Sequence, residues 1–182
     1  MTPDERIAVS KLMSWALRHA PREAGIALDA SGWASVDAVL SALAARGLSV
    51  SAEELAEVVA HSDKQRFALS EDGARVRARQ GHSVEVDLGL APVEPPAELF
   101  HGTVERFLAA ILREGLVKGE RHHVHLSASR AIAEEVGRRR GRPVVLRVAA
   151  AAMARAGQPF YRTDNGVWLV EAVPPEHLEV LE

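Results

Sequence analysis

The chain contains no cysteine. That absence removes disulfides, thiolate metal sites and cysteine nucleophiles together, so a metal would have to be held by histidine and carboxylate. No apolar run approaches the length of a membrane span, and residues 1–6 are polar and acidic with nothing like a signal segment, so a cytoplasmic protein without a membrane partner is expected. Also missing are a Gly-x-x-x-x-Gly-Lys loop, a Gly-x-Gly-x-x-Gly turn and a serine-hydrolase elbow, which disfavours P-loop or Rossmann nucleotide binding and serine hydrolysis. There is no internal repeat, and the only low-complexity stretch is the alanine-rich 149–152. Nor is there an excess of positive charge. A formal net charge of −3 argues against a protein that coats nucleic acid through bulk electrostatics, while leaving room for local phosphate-binding patches.

What is present is an ordinary folding composition, 47% hydrophobic and 26% charged, in 182 residues that can form one domain or two small ones. Val9, Met13, Ala16, Leu17 and Ala20 recur at helical spacing over 4–20, with Lys11, Trp15 and Arg18 on the other side, His19 at the stripe's edge and Pro21 as a stop. Ser35 reads as an N-cap for a helix over 36–45, and Ser51 with Glu54 has capping-box spacing before a helix over 52–61. Residues 66–70 and 74–78 alternate like two strands, joined by a turn at Glu71-Asp72-Gly73. Three helices and then a hairpin is the order of a winged-helix domain. Residues 84–88 can continue as a strand. The proline-rich 91–97 reads as a semi-rigid linker, which divides the chain into lobes at 1–90 and 98–182.

In the second lobe a short strand runs into Gly102, where a glycine would let a ligand approach the backbone. Helices are expected over 104–114, over 130–138 and near Met153, and strands over 144–149 and 167–173, making a mixed α+β lobe. Trp33 and Trp168 are expected in cores, whereas Trp15 suits either a core or a binding surface.

The densest chemistry lies in Arg121-His122-His123-Val124-His125-Leu126-Ser127, which holds three of the eight histidines. Strand alternation would place Arg121, His123 and His125 on one face. Such a row could be a His-x-His metal pair or a phosphate cradle. A catalytic metal wants a third ligand, only Glu120 stands nearby, and Arg121 would repel a cation, so no metal is expected. Phosphate fits better, because guanidinium forks match phosphate oxygens and an imidazole can donate to another. Arg18, His19, Arg66 and Arg121 are the candidates.

Six runs then occur in order: Ser10-Lys11-Leu12 with Leu17-Arg18-His19-Ala20-Pro21; Asp63-Lys64-Gln65-Arg66-Phe67; Arg75-Val76-Arg77-Ala78 with Gln80-Gly81-His82-Ser83; His101-Gly102-Thr103; Arg121 to Ser127; and Asn165-Gly166-Val167-Trp168-Leu169. Together they closely resemble the NAD-dependent RNA 2′-phosphotransferases, the KptA family, over nearly the whole chain.

The resemblance implies an α+β protein with a winged-helix-like N-terminal lobe, a C-terminal lobe of the ADP-ribosyltransferase type, and an active site in the cleft between them. It implies removal of an internal 2′-phosphate from RNA, with tRNA as the expected substrate, through an ADP-ribosylated 2′-phosphate. Nicotinamide and ADP-ribose 1″,2″-cyclic phosphate would be released, NAD being consumed by a monomeric enzyme. The family's essential Arg-His-Arg-Arg set matches Arg18, His19, Arg66 and Arg121. The NAD-holding signature matches His101, His125 and Val167, flanked by Gly102, Thr103 and Ser127. Lys11, Lys64, Arg75 and Arg77 could line an RNA path or simply be solvated. Two positions depart from the family pattern, Arg79 for an asparagine and Arg140 for a histidine, and both add positive charge. The competing functions are an ADP-ribosyltransferase that stops after the first transfer to a phosphorylated end, and a non-catalytic winged-helix module that binds RNA.

Overall fold

A computed structural model describes residues 1–62 and 64–181. Asp63, part of one of the six runs, lies outside the described residues. The chain divides into two compact units, Met1–Gly89 and Leu90–Glu182.

The first unit begins with a reciprocal capping box between Thr2 and Glu5, which starts α1 (Pro3–Arg18). The helix buries Val9, Met13, Ala16 and Leu17 as the spacing predicts, but ends at Arg18, with His19 as its C-cap. Pro21 opens the short helix α2 (Pro21–Ala24) instead of merely stopping α1, because proline suits a first helical turn. β1 (Trp33–Ser35), α3 (Val36–Ala44), α4 (Ala52–Ala60), β2 (Phe67–Leu69) and β3 (Arg75–Ala78) follow. Ser35 caps α3, and the Ser51–Glu54 capping box starts α4. The expected hairpin forms, with Phe67 opposite Ala78 and Leu69 opposite Val76. β1 adds to it in the order β1-β3-β2, and all pairs are antiparallel. Met13, Leu17, Leu43, Leu55 and Phe67 lie in its core.

Two expectations fail in this unit. Residues 84–88 form no strand, because their neighbourhood's amides go to separate elements: Ser83 N–H donates to Arg18 O (2.9 Å) and Asp87 N–H to Ala30 O (2.8 Å). Trp33 is not core. It is only half-buried on β1, where Ala34 takes the core-facing position, and the guanidiniums of Arg75 and Arg77 lie 5.4 and 4.7 Å from its ring. Trp15 packs partly against the core with Arg46 stacked over it at 4.4 Å.

The second unit contains β4 (Leu99–Val104), α5 (Glu105–Glu114), β5 (Leu116–Val117), β6 (Val124–Leu126), α6 (Arg130–Arg138), β7 (Pro143–Val148), α7 (Ala150–Arg155), β8 (Phe160–Arg162), β9 (Trp168–Val170), β10 (Ala172–Val173) and β11 (Leu178–Leu181). It is a mixed α+β unit with two three-stranded sheets, β11-β7-β4 and β6-β9-β8, and a β5-β10 pair, all antiparallel. A bridge between Phe100 and Ser127 joins β4 to the end of β6 through two hydrogen bonds of 2.9 and 2.7 Å. Leu99, Leu126, Leu146, Phe160, Trp168 and Val170 share its core.

The strand expected over 167–173 is split at Glu171, so that β9 and β10 serve different sheets. The proline-rich stretch carries no regular structure but is held along this unit, with Val93 N–H donating to Phe160 O (2.8 Å) and Ala151 N–H to Ala97 O (3.2 Å). Among the described residues no helix is long and apolar enough to cross a membrane.

Candidate active site

In the first unit, the periodicity that buries Met13 and Leu17 leaves Arg18 half-buried at the end of α1. Its guanidinium carbon lies 6.0 Å from the ring of Phe67, whose side chain is in the core. Arg66 immediately precedes that phenylalanine. Its carbonyl accepts from Arg79 N–H (2.9 Å), which extends the β2–β3 ladder, so Arg66 is fixed beside the residue that Arg18 approaches. Gln65, just before it, has φ +41°, a left-handed conformation that costs energy for a non-glycine residue and fixes how the chain enters Arg66.

His19 Nδ1 lies 2.9 Å from Ser83 Oγ, and the same hydroxyl is 3.4 Å from Arg18 O. A hydroxyl has one proton and a carbonyl has none. If Ser83 donates to Arg18 O, then Nδ1–H of His19 donates to Ser83 and the ring's lone pair sits on Nε2. Ser83 thus orients the imidazole. The sequence reading placed Ser83 in a run but gave it no role, since a lone serine after a turn signals nothing by itself.

In the second unit β4 carries His101, Gly102 and Thr103, while β6 carries His125. Only residues 124–126 of the expected cationic strand are extended; Arg121 to His123 bend away before it, so strict alternation does not hold across the row. Arg121 and His125 meet all the same, Arg121 Nη1 lying 3.1 Å from His125 Nδ1. A guanidinium can only donate, so His125 Nδ1 accepts and its ring proton sits on Nε2. His101 Nδ1, in turn, donates to His125 O at 3.1 Å.

Burial is the main force holding the His101 pKa below its ordinary value. The bond to His125 O opposes it, and the charges of Arg140 and Arg121 add to it. His101 is therefore neutral at neutral pH and presents an acceptor at Nε2, whereas His125 presents a donor there. Arg121 is itself lowered, first by partial desolvation and then by Arg140, yet an arginine remains charged.

His123 turns its ring edge-on to Tyr161, with centroids 5.5 Å apart, and burial is the first cause of its lowered pKa. Among the described residues no group of three or more His, Asp or Glu side chains is arranged to hold a metal ion. Val167 is half-buried and follows a tight loop in which Thr163 N–H donates to Val167 O (2.9 Å) and Val167 N–H to Thr163 Oγ1 (3.0 Å). One step beyond the Leu126–Trp168 pair of β6 and β9 stand Ser127 and Val167. Thr163, buried and missed by the sequence reading, is what holds that loop.

At Gly102 a Cβ would lie 1.7 Å from Ala133 O and 2.9 Å from Gly137 N, so the missing side chain lets α6 approach the backbone. Thr103 is buried beside the same helix.

The four arginine and histidine positions matched to phosphate chemistry thus fall in two groups: Arg18, His19 and Arg66 in the first unit, Arg121 in the second with His101 and His125. A family model described as RNA 2′-phosphotransferase, Tpt1 / KptA family, matches residues 4–172. Among curated proteins, the chain is 57% identical to a "Probable RNA 2′-phosphotransferase" of Agrobacterium fabrum over 173 residues, covering 95% of this chain and 93% of the relative. Proteins of the same name from Hahella chejuensis and Nostoc punctiforme are 50% and 49% identical, over 95% and 98% of this chain and 93% and 99% of their own. These matches define an enzyme of the transferase class. The chain belongs to the RNA 2′-phosphotransferase, Tpt1 / KptA family.

Proposed function

We propose that this protein removes the 2′-phosphate from RNA by transferring it to NAD, with a tRNA bearing an internal 2′-phosphate as substrate. Family membership over residues 4–172 is the observation that carries the reading. The first unit's element order and its β1-β3-β2 sheet support a winged-helix-type lobe, and the bridged antiparallel sheets of the second support an ADP-ribosyltransferase-type lobe. Cytoplasmic action as a monomer belongs to the same reading.

NAD suits the donor set of the second unit. His101 offers an acceptor and His125 a donor, the pair of groups that sugar hydroxyls satisfy, and Val167 adds an apolar surface. When bound, NAD supplies a ribose carbon with nicotinamide as its leaving group; nicotinamide departs neutral, which explains a site rich in binding residues and poor in carboxylates.

The chain's own residues divide the remaining work. Arg18, Arg66 and Arg121 hold the phosphate dianion and offset charge during phosphoryl transfer, where placement and electrostatics supply most of the acceleration. His19, oriented through Ser83, takes up a proton at Nε2 and, once protonated, donates from that atom to a phosphate oxygen. Arg121 also fixes the His125 tautomer.

The test incubates the full-length protein with NAD and an oligoribonucleotide carrying one internal 2′-phosphate, and identifies both products. The expected outcome is a dephosphorylated strand with ADP-ribose 1″,2″-cyclic phosphate. Arg121→Ala should slow it roughly a hundredfold or more. A stable strand that keeps its phosphate and gains ADP-ribose would replace this reading with a transferase that stops early. RNA binding without nicotinamide release would leave only a binding module.

A further inference from the structure

Where the chain turns from α6 toward β7 it carries Arg138-Arg139-Arg140-Gly141-Arg142, and these arginines are not equivalent. Arg138 lies 2.7 Å from Glu134 and Arg139 lies 3.8 Å from Glu135, each the i,i+4 pairing that ties a cation to its own helix. No carboxylate among the described residues pairs with Arg140, and none pairs with Arg121.

The backbone shows where Arg140 is anchored. α6 crosses β4 main chain against main chain, at Gly102 and Gly137. Arg140 N–H donates to Gly137 O (2.9 Å), which fixes it one turn beyond that crossing. His101 is next to Gly102 and donates to His125 O, and Arg121 donates to the His125 ring. The charges of Arg140 and Arg121 both act on His101, and the charge of Arg140 acts on Arg121. Two guanidiniums and a neutral imidazole therefore gather at one end of the β4–β6 junction, with no carboxylate among the described residues paired to either guanidinium. Like charges held together weaken the ligand-free protein, and an anion carrying more than one negative charge would relieve the repulsion.

We propose that Arg140 is a binding residue that shares with Arg121 one phosphate group of the reactants. The proposal rests on the function proposed above. A phosphate there has two possible sources, the diphosphate of NAD and the 2′-phosphate being transferred, and the chemistry that recognises them is the same: a planar fork of donors set against phosphate oxygens. The charge at this position is permanent.

The experiment measures binding to full-length wild type, Arg140→Gln and Arg140→Lys by calorimetry, with three probes: ADP-ribose, an oligoribonucleotide with one internal 2′-phosphate, and the same strand without it. Arg140 is solvent-exposed, so the variants should fold. Arg140→Gln is expected to weaken one of the two phosphate-bearing probes roughly tenfold, the loss of one charge-assisted hydrogen bond, with Arg140→Lys recovering part of it. A weakened ADP-ribose identifies the diphosphate. A loss confined to the 2′-phosphorylated strand identifies the transferred group.

Ligand-free Arg140→Gln should melt at or above the wild-type temperature. Unchanged affinity for both phosphate-bearing probes overturns the proposal, as does an equal loss on both strands with ADP-ribose unaffected, or a lowered melting temperature. Absence of NAD-dependent phosphate removal in the wild type would instead overturn the function proposed above, and the ADP-ribose arm would still decide the role of Arg140.

Discussion

His101 shows how much of this site is decided by single atoms. Its Nδ1 proton is committed to His125 O, and burial with two nearby arginines keeps the ring neutral. A histidine with a depressed native pKa binds fewer protons folded than unfolded, so its contribution to stability is complete above the unfolded value of about 6.5. That contribution is lost as pH falls below 6.5 toward the native value, and levels off beneath it. Denaturation measured from pH 8 to pH 5 should therefore show an acid-side loss in the wild type that is smaller in His101→Gln. At this scale the sequence was informative about residue type and silent about partners. Arg18, His19, Arg66, Arg121 and His125 stood out as cations and imidazoles, and His101 through the family resemblance, but the contact of Ser83 with His19 spans 64 residues of chain that no spacing rule encodes, and Thr163 meets Val167 only because a tight loop folds back.

Elements were legible where one local rule sufficed. The apolar stripe of α1, the serine caps of α3 and α4 and the Asp72-Gly73 turn between β2 and β3 are local, and each lies where the residues require. β1 was not legible: three residues, Trp33–Ser35, become a strand only because β3 offers an edge. Residues 84–88 had the alternation of a strand, but their backbone is tied by Asp87 N–H to Ala30 O and joins no strand ladder among the described residues. The crossing of α6 over β4 is likewise tertiary. Gly102→Ala would drive a methyl into Ala133 O, a backbone atom that cannot turn aside. We expect the substitution to destabilise the protein by about 3 kcal/mol, the upper end of the range for overpacking. Urea denaturation checks it, and a change within about 0.5 kcal/mol, ordinary for a surface position, would show that the helix can yield.

Across the molecule, the proposed function has an acidic chain handle a polyanion through a few placed cations, not through its overall field. With Arg18, Arg66 and Arg121 all on the one 2′-phosphate, the affinity for a single-stranded oligoribonucleotide should fall with salt at a slope of only about −1 on logarithmic axes. Fluorescence anisotropy between 50 and 300 mM salt measures it, and a much steeper slope would bring Lys11, Lys64, Arg75 and Arg77 into the RNA path. The change of composition at 91–97 predicts a linker between lobes, but the sequence cannot say that this stretch lies along the second unit, since that depends on Val93 reaching Phe160 O.

Gly102 and Gly137 meet through atoms that every amino acid possesses. The spacing between His101 and the start of the Arg140 turn is therefore independent of side-chain volume, and the surfaces of α6 and β4 can drift through many substitutions without altering it. A mutation that gives either glycine a side chain would reach both residues at once.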